Sequence, residues 1–198
     1  MDYQEFIKNK VAIAEIFGFD VSDDELPAAL KPHQRDIVRW ALRGGCRAIF
    51  AAFGLGKTIM QLAIADVIAK RNPGRKTLIV CPLGVKQEFA RDARNFFGIE
   101  LVYVRNNAEA AAVDTPYCIT NYERVRDGQL DPAQFISVSL DEASILRGFG
   151  TKTFQEFLPL CVDVKYKFVA TATPSPNEIK ELIHYAGFLG VMDTGEAL

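Results

Sequence analysis

Ala51-Ala52-Phe53-Gly54-Leu55-Gly56-Lys57-Thr58 is the stretch on which the reading of this chain turns. It follows an apolar run, Ala48-Ile49-Phe50, and opens a helical pattern, Ile59-Met60-Gln61-Leu62-Ala63-Ile64-Ala65. Strand, loop and helix start, in that order, are the setting of a phosphate-binding loop. Gly54 and Gly56 can take backbone angles closed to other residues, so successive N–H groups around Leu55 can turn inward onto a phosphate. The helix N-terminus adds a partial positive charge. In such a loop Lys57 reaches the β- and γ-phosphates and the Thr58 hydroxyl ligates Mg²⁺. The strict pattern has Gly where this chain has Ala51, so the match is one small residue short. A Gly-x-Gly-Lys-Thr in a surface turn is the competing reading, and the flanking strand and helix argue against it.

The rest of the composition narrows the class. At 198 residues the chain fits one large domain or two small ones and can bury a sizeable core. With 49% hydrophobic and 24% charged residues it has an ordinary globular make-up. A net charge of −2 creates no global field toward nucleic acid, so any such contact needs a local patch. The apolar runs are too short to span a bilayer, and Met1-Asp2-Tyr3-Gln4-Glu5 is unlike a secretory signal. Cys46, Cys81, Cys118 and Cys161 are scattered and form no C-x-x-C pair, which points to buried free thiols in a reducing cytoplasm. His33 and His184 lie far apart in sequence, and neither reads as a metal ligand.

Around the loop the pattern alternates. Strands are expected at Ala48–Ala51, Thr77–Cys81, Leu101–Val104, Tyr117–Thr120, Ile136–Leu140 and Lys167–Ala170. Helices are expected at Thr58–Lys70, Leu83–Phe97, Thr151–Leu160 and Asn177–Leu189. Strands apolar on both faces and separated by helices imply an α/β fold, with a mostly parallel sheet covered on both faces. Ligands then bind at the carboxyl ends of the strands. Upstream, Tyr3–Phe19 has helical spacing closed by Gly18, and Ser22-Asp23-Asp24-Glu25 reads as a cap with acidic first-turn residues. Pro32 opens a further helix that Gly44-Gly45 ends. Asn106–Asp114 can be a short helix or a loop, and Arg124–Gln134 reads as an exposed connection.

A phosphate loop needs a carboxylate for its metal, and Val138-Ser139-Leu140-Asp141-Glu142-Ala143-Ser144 offers one. Asp141 ends an apolar strand and is placed to hold Mg²⁺ through water. Glu142 is placed to orient and deprotonate an attacking water. Adjacent residues leave a strand end in different directions, so the two acids can do different work. An Asp-Glu pair capping the next segment is the alternative.

At this point the chain resembles the superfamily-two helicases and translocases. Leu140-Asp141-Glu142-Ala143-Ser144 is similar to their Asp-Glu-Ala-His box, with Ser144 for His, and Ala51–Thr58 to their motif I. Leu78-Ile79-Val80-Cys81-Pro82, with Gln87-Glu88-Phe89, resembles motif Ia of the Swi/Snf-type branch, and Ile119-Thr120-Asn121-Tyr122-Glu123 resembles that branch's Ile-Thr-Ser-Tyr-Glu segment. Ala170-Thr171-Ala172-Thr173-Pro174, followed by Asn177, Glu181 and Leu182, resembles motif III. Leu30-Lys31-Pro32-His33-Gln34 resembles the adenine-reading glutamine motif. Six segments in family order are far more specific than any one, and the run Phe53–Gln61 is similar to phage and prophage helicase-like proteins.

The resemblance implies a RecA-like P-loop NTPase fold over residues 30–198, with residues 1–29 as a helical extension. It implies ATP and Mg²⁺ as cofactors, with Gln34, Gly54, Leu55, Gly56, Lys57 and Thr58 on the nucleotide, Thr58 and Asp141 on the metal, and Lys57, Asp141 and Glu142 in catalysis. Thr171 and Thr173 are expected to couple the metal site to a moving partner surface, although β-propensity also explains them. Pro82, Thr120, Asn121 and Tyr122 are candidates for a nucleic-acid backbone, DNA in this family. Lys86, Arg91, Arg94, Arg124, Arg126 and Arg147 are candidates for a phosphate-tracking patch, with scattered solvated charge as the alternative for most. Family motors need a second RecA-like domain carrying motifs IV to VI, which this sequence lacks, so a longer chain or a partner chain is expected to supply it. Three other readings stay open: the motor part of a restriction–modification enzyme, a nucleotide-binding interaction module that does not hydrolyse, and a small-molecule kinase.

Overall fold

Pro32 is the first residue of helix α1 (Pro32–Gly44), where its missing N–H costs nothing, and Gly45 closes that helix at φ +77°. The chain then runs β1 (Cys46–Phe50), α2 (Lys57–Arg71), β2 (Thr77–Cys81), α3 (Lys86–Asp92), β3 (Val102–Tyr103), α4 (Asn107–Ala112), β4 (Tyr117–Asn121), α5 (Tyr122–Arg126), β5 (Ser137–Asp141), β6 (Tyr166–Thr171) and α6 (Leu182–Leu189). This computed structural model describes residues 16–146, 157–175 and 182–191. Its six described strands form one sheet in the order β1-β6-β5-β2-β4-β3, and every pair is parallel. The expected parallel sheet with helices on both faces is what forms.

Alternation along the strands assigns the two faces. Leu78, Val80, Cys118, Val138, Leu140 and Val169 pack with Tyr122, Val125, Tyr185 and Phe188 on one side. Ile49, Phe168, Ile79 and Ile119 face α1, α2 and α3 on the other. Helix α2 has no solvent side there, since every residue from Met60 to Ala69 is buried. That explains why its pattern is apolar all round rather than striped. Its two strongly polar buried residues are satisfied: Asp66 accepts from Tyr117 Oη at 2.8 Å and Lys70 Nζ at 2.7 Å, and Gln61 bonds into the sheet.

Three expectations are corrected. Leu83–Phe97 is not one helix. It breaks into a 3₁₀ turn (Leu83–Val85), α3 and a π turn (Ala93–Phe97) that Gly98 ends at φ +63°. The wide π turn lets Phe97 pack against the core while Phe96 stays out. Arg124–Gln134 is not simply exposed, because it buries Val125, Leu130 and Pro132 around α5 and a 3₁₀ turn. The third concerns residues 16–30, which carry turns rather than helix. Their N–H groups are drawn to the open carbonyls at the end of α1: Phe17, Gly18 and Phe19 donate to Gly44, Arg43 and Leu42 at 3.2, 3.2 and 3.1 Å. Residues 1–15, 147–156, 176–181 and 192–198 lie outside the described residues, including most of the first expected helix and most of Thr151–Leu160. Asn106 settles its ambiguous segment by capping α4, its side chain accepting from Glu109 N.

Glu25 pins the 16–30 strap. It accepts from Ser22 N at 3.0 Å, Ser22 Oγ at 2.9 Å and Arg71 Nε at 2.8 Å. The Ser22 backbone bond, then Arg71, hold its carboxyl down at about 2 against an ordinary 4.5. A carboxyl lowered in the fold stabilises above its unfolded value and loses that contribution as pH falls through the folded one. The melting temperature of the parent should therefore exceed that of Glu25→Gln at neutral pH, and the gap should close between pH 4.5 and about 2. A gap unchanged across that range in thermal melts would rule out the strap's ion pair as its source.

Candidate active site

The sheet order decides what meets at its carboxyl edge. Strand β6 lies between β1 and β5, so Thr171 stands between the loop after β1 and the acids after β5. The loop is stitched to that strand through Ala51 N and Thr171 O at 3.2 Å. Gly54 and Gly56 adopt φ of +82° and +79°, the left-handed region anticipated for both. Gly56 caps α2, so Lys57 and Thr58 are its first two residues. Lys57 Nζ donates to Ala51 O at 3.0 Å and Ala52 O at 3.3 Å, with the Phe53 ring 5.0 Å beneath it. The lysine thus lies folded over its own loop.

Gln34 is brought to the loop from behind. Its Nε2 donates to Leu55 O at 3.1 Å, and its Oε1 accepts from Lys31 N at 3.0 Å. It is buried rather than a solvated helix-start residue. The positive φ of Gly56 favours glycine, and a Cβ added there would lie 2.3 Å from Gln34 Nε2, so the Gln34 amide would have to move.

The acids sit where expected. Asp141 is the last residue of β5. Its carbonyl accepts from Tyr122 Oη at 2.8 Å, and its Oδ1 accepts from Gln61 Nε2 at 2.8 Å. Glu142 holds φ +48°, the one positive φ outside glycine among the described residues. Such a conformation costs about 1–2 kcal/mol and re-aims the side chain. Glu142 Oε1 accepts from Thr171 Oγ1 at 3.1 Å and lies 3.5 Å from Thr173 Oγ1. Ser144, shorter than the family's His, turns back on Glu142 O at 3.3 Å. Strand end β6 therefore reaches the acid pair through Glu142 itself.

Lys57, Thr58, Asp141, Glu142 and Pro82 line one cleft of about 470 Å³, with Glu88 and Asp92 of α3 on its far wall. Burial raises the Asp141 carboxyl to about 6; Gln61 and Lys57 oppose the rise, and Glu142 adds to it. Burial and then the Asp141 charge push the Cys81 thiol up to about 12, so this cysteine stays an unreactive thiol. All four cysteines are buried and free. Among the described residues no group of three His, Cys, Asp or Glu could hold a metal. A divalent ion here would rest on Thr58, Asp141 and ligand phosphates, the hard oxygen set that suits Mg²⁺.

The other expected contacts fall elsewhere. Pro82 lines the cleft. Thr120 is buried and donates to Val104 O at 2.7 Å, Tyr122 is spent on Asp141 O, and Asn121 accepts from Tyr103 Oη at 2.8 Å. Arg91 pairs with Asp92 at 3.2 Å and Arg126 with Asp127 at 2.8 Å, while Lys86 lies over Tyr103. Arg147, Asn177 and Glu181 lie outside the described residues. Sequence reasoning passed over Gln61 and Ser139, although a polar residue inside an otherwise apolar buried run was a signal.

The fold defines a class, the RecA-like ATPase core. Residues 33–196 match the model of the SNF2-related domain, and the chain belongs to that family. The SWI2/SNF2 ATPase core domain of Sulfolobus solfataricus is 21% identical, with a TM-score of 0.69 over 92% of this chain and 41% of that one. The same core in complex with dsDNA gives 20%, 0.64, 89% and 38%. The UvsW helicase from bacteriophage T4 gives 16%, 0.64, 95% and 66%. At these identities the likeness is one of fold. The chain spans about two fifths of the SWI2/SNF2 core. No curated protein matches it by sequence. Among the described residues no helix is long and apolar enough to cross a membrane.

Gly56→Ala tests the loop. The left-handed backbone alone costs about 1–2 kcal/mol for a residue with a Cβ, and the methyl displaces Gln34. We expect a lower melting temperature and weakened nucleotide binding by calorimetry. Parent-like affinity would mean that the Gln34–loop contact does not shape the site.

Proposed function

We propose that this domain binds ATP with Mg²⁺ and hydrolyses it to drive movement along DNA once a second RecA-like domain completes the cleft. The supporting observation is the meeting of Lys57, Thr58, Asp141 and Glu142 at one sheet edge, with Glu142 tied to the end of β6. Lys57 moves off the Ala51 and Ala52 carbonyls onto the phosphates, and the α2 N-terminus offers its N–H groups beside it. Thr58 and Asp141 hold the metal. Bound magnesium would offset phosphate charge as it builds at the transferred group. Glu142 takes the proton of the attacking water. Thr171 and Thr173 sense its charge, since both hydroxyls can donate to the carboxylate. Gln34 braces the loop behind the nucleotide, on the side where the family reads adenine.

DNA is the proposed track, because the family contains a core solved in complex with dsDNA. Within the branch we favour a phage-type member, on the run Phe53–Gln61 and the likeness in fold to a phage helicase. Cytoplasmic residence agrees with four buried free thiols. Pro82 and Asn121 are the proposed start of the track at the sheet edge.

Single-turnover hydrolysis and ATP affinity, measured with the second domain supplied, separate the roles. Lys57→Ala should weaken ATP binding about ten- to a hundredfold, the worth of a charge-assisted contact. Asp141→Ala should damage Mg²⁺-dependent binding. Glu142→Gln should bind nearly normally yet hydrolyse about a hundred- to ten-thousandfold slower, the usual loss of a general base. Parent-rate hydrolysis by Glu142→Gln would remove Glu142 as the base.

Alone, the 198-residue chain should turn over ATP very slowly, since an arginine finger is commonly worth about a thousandfold or more. Brisk DNA-stimulated turnover by the chain alone would defeat the need for a partner domain.

A further inference from the structure

Two polar residues stand where the core should be apolar. Gln61 is wholly buried on α2 between Met60 and Leu62. Ser139 is buried on β5, with Ile79 of β2 and Phe168 of β6 beside it in register. Each is satisfied by the other: Ser139 Oγ and Gln61 Oε1 are 2.7 Å apart. The second arm of the amide, Nε2, is 2.8 Å from Asp141 Oδ1. A carboxylate only accepts, so the amide must present its NH₂ to Asp141. Its carbonyl oxygen must then face the Ser139 hydroxyl, which donates to it. Ser139 and Asp141 share one face of β5 by strand alternation, and Thr58 and Gln61 share one face of α2 by helical spacing.

We propose that Gln61, oriented by Ser139, is a positioning residue that holds one oxygen of Asp141 so that the other is presented to the metal beside Thr58. The relay rests on the nucleotide–metal reading of this cleft. It makes α2 deliver both Thr58 and the brace on its partner carboxylate, so helix and strand cannot shift apart without loosening the metal site. Outer partners of a metal ligand typically carry about ten- to a hundredfold in metal affinity.

The test uses the 198-residue chain, with ADP titrated calorimetrically at several Mg²⁺ concentrations and with EDTA. Gln61→Met keeps the volume and removes both bonds, and Ser139→Ala removes only the orienting donor. Ser137→Ala deletes another buried hydroxyl of β5 as a control. The expected result is unchanged ADP affinity in EDTA for every variant. The Mg²⁺ needed for half-maximal tightening should rise about tenfold or more for Gln61→Met, rise less for Ser139→Ala, and stay at the parent value for Ser137→Ala. If Gln61→Met does not fold, Ser139→Ala decides alone. Parent-like Mg²⁺ dependence in Ser139→Ala and in folded Gln61→Met overturns the relay while leaving the metal site standing. Weakened ADP binding in EDTA also overturns it, by showing general damage. A parent chain whose ADP affinity ignores Mg²⁺ removes the metal site itself and the relay with it.

Discussion

Helix α2 has no solvent face between Met60 and Ala69, and the site depends on that burial. A helix held on every side cannot roll or slide, so its first two residues, Lys57 and Thr58, are fixed relative to the strand ends. Packing rather than propensity sets that precision. The burial also compels Asp66 and Gln61 to find partners inside the protein, because an unpaired buried polar group costs about 1–3 kcal/mol. Asp66 finds Tyr117 and Lys70 at the far end of the helix, and Gln61 finds the sheet beside the acids.

The parallel sheet carries that rigidity to the chemistry. Placing β6 between β1 and β5 sets the Thr171 hydroxyl between a loop and an acid pair that are far apart in sequence. Glu142 meets it by accepting a left-handed backbone, a strain of about 1–2 kcal/mol held by the bonds around it. Backbone strain at the residue assigned to water activation fits the habit of functional sites to store it. The shorter Ser144 leaves this contact to Glu142 directly.

Lys57 is held by its own loop. Two carbonyls and an aromatic face occupy its ammonium, and under the proposed function a phosphate would replace them with a more strongly charged partner. The acidic residues of α3, Glu88 and Asp92, keep the cleft from being uniformly positive.

From sequence alone came the α/β class, the glycine loop between strand and helix, the place of Asp141 and Glu142 at a strand end, and the six described strands, each within two residues of its place. Those features are local: apolar runs with β-branched residues, glycines at positive φ, and a cap position before a helix. What the tertiary structure alone decided are the contacts between segments distant in the chain. Phe17, Gly18 and Phe19, read as the end of a helix over Tyr3–Phe19, instead donate to the open carbonyls at the end of α1. Thr120 and Tyr122 are buried, where they bond to Val104 O and Asp141 O. Gln61 and Ser139, separated by 78 positions, became one relay only when α2 packed across β5. Periodicity tells which face of an element is buried; it does not tell which residue of another element will lie against it.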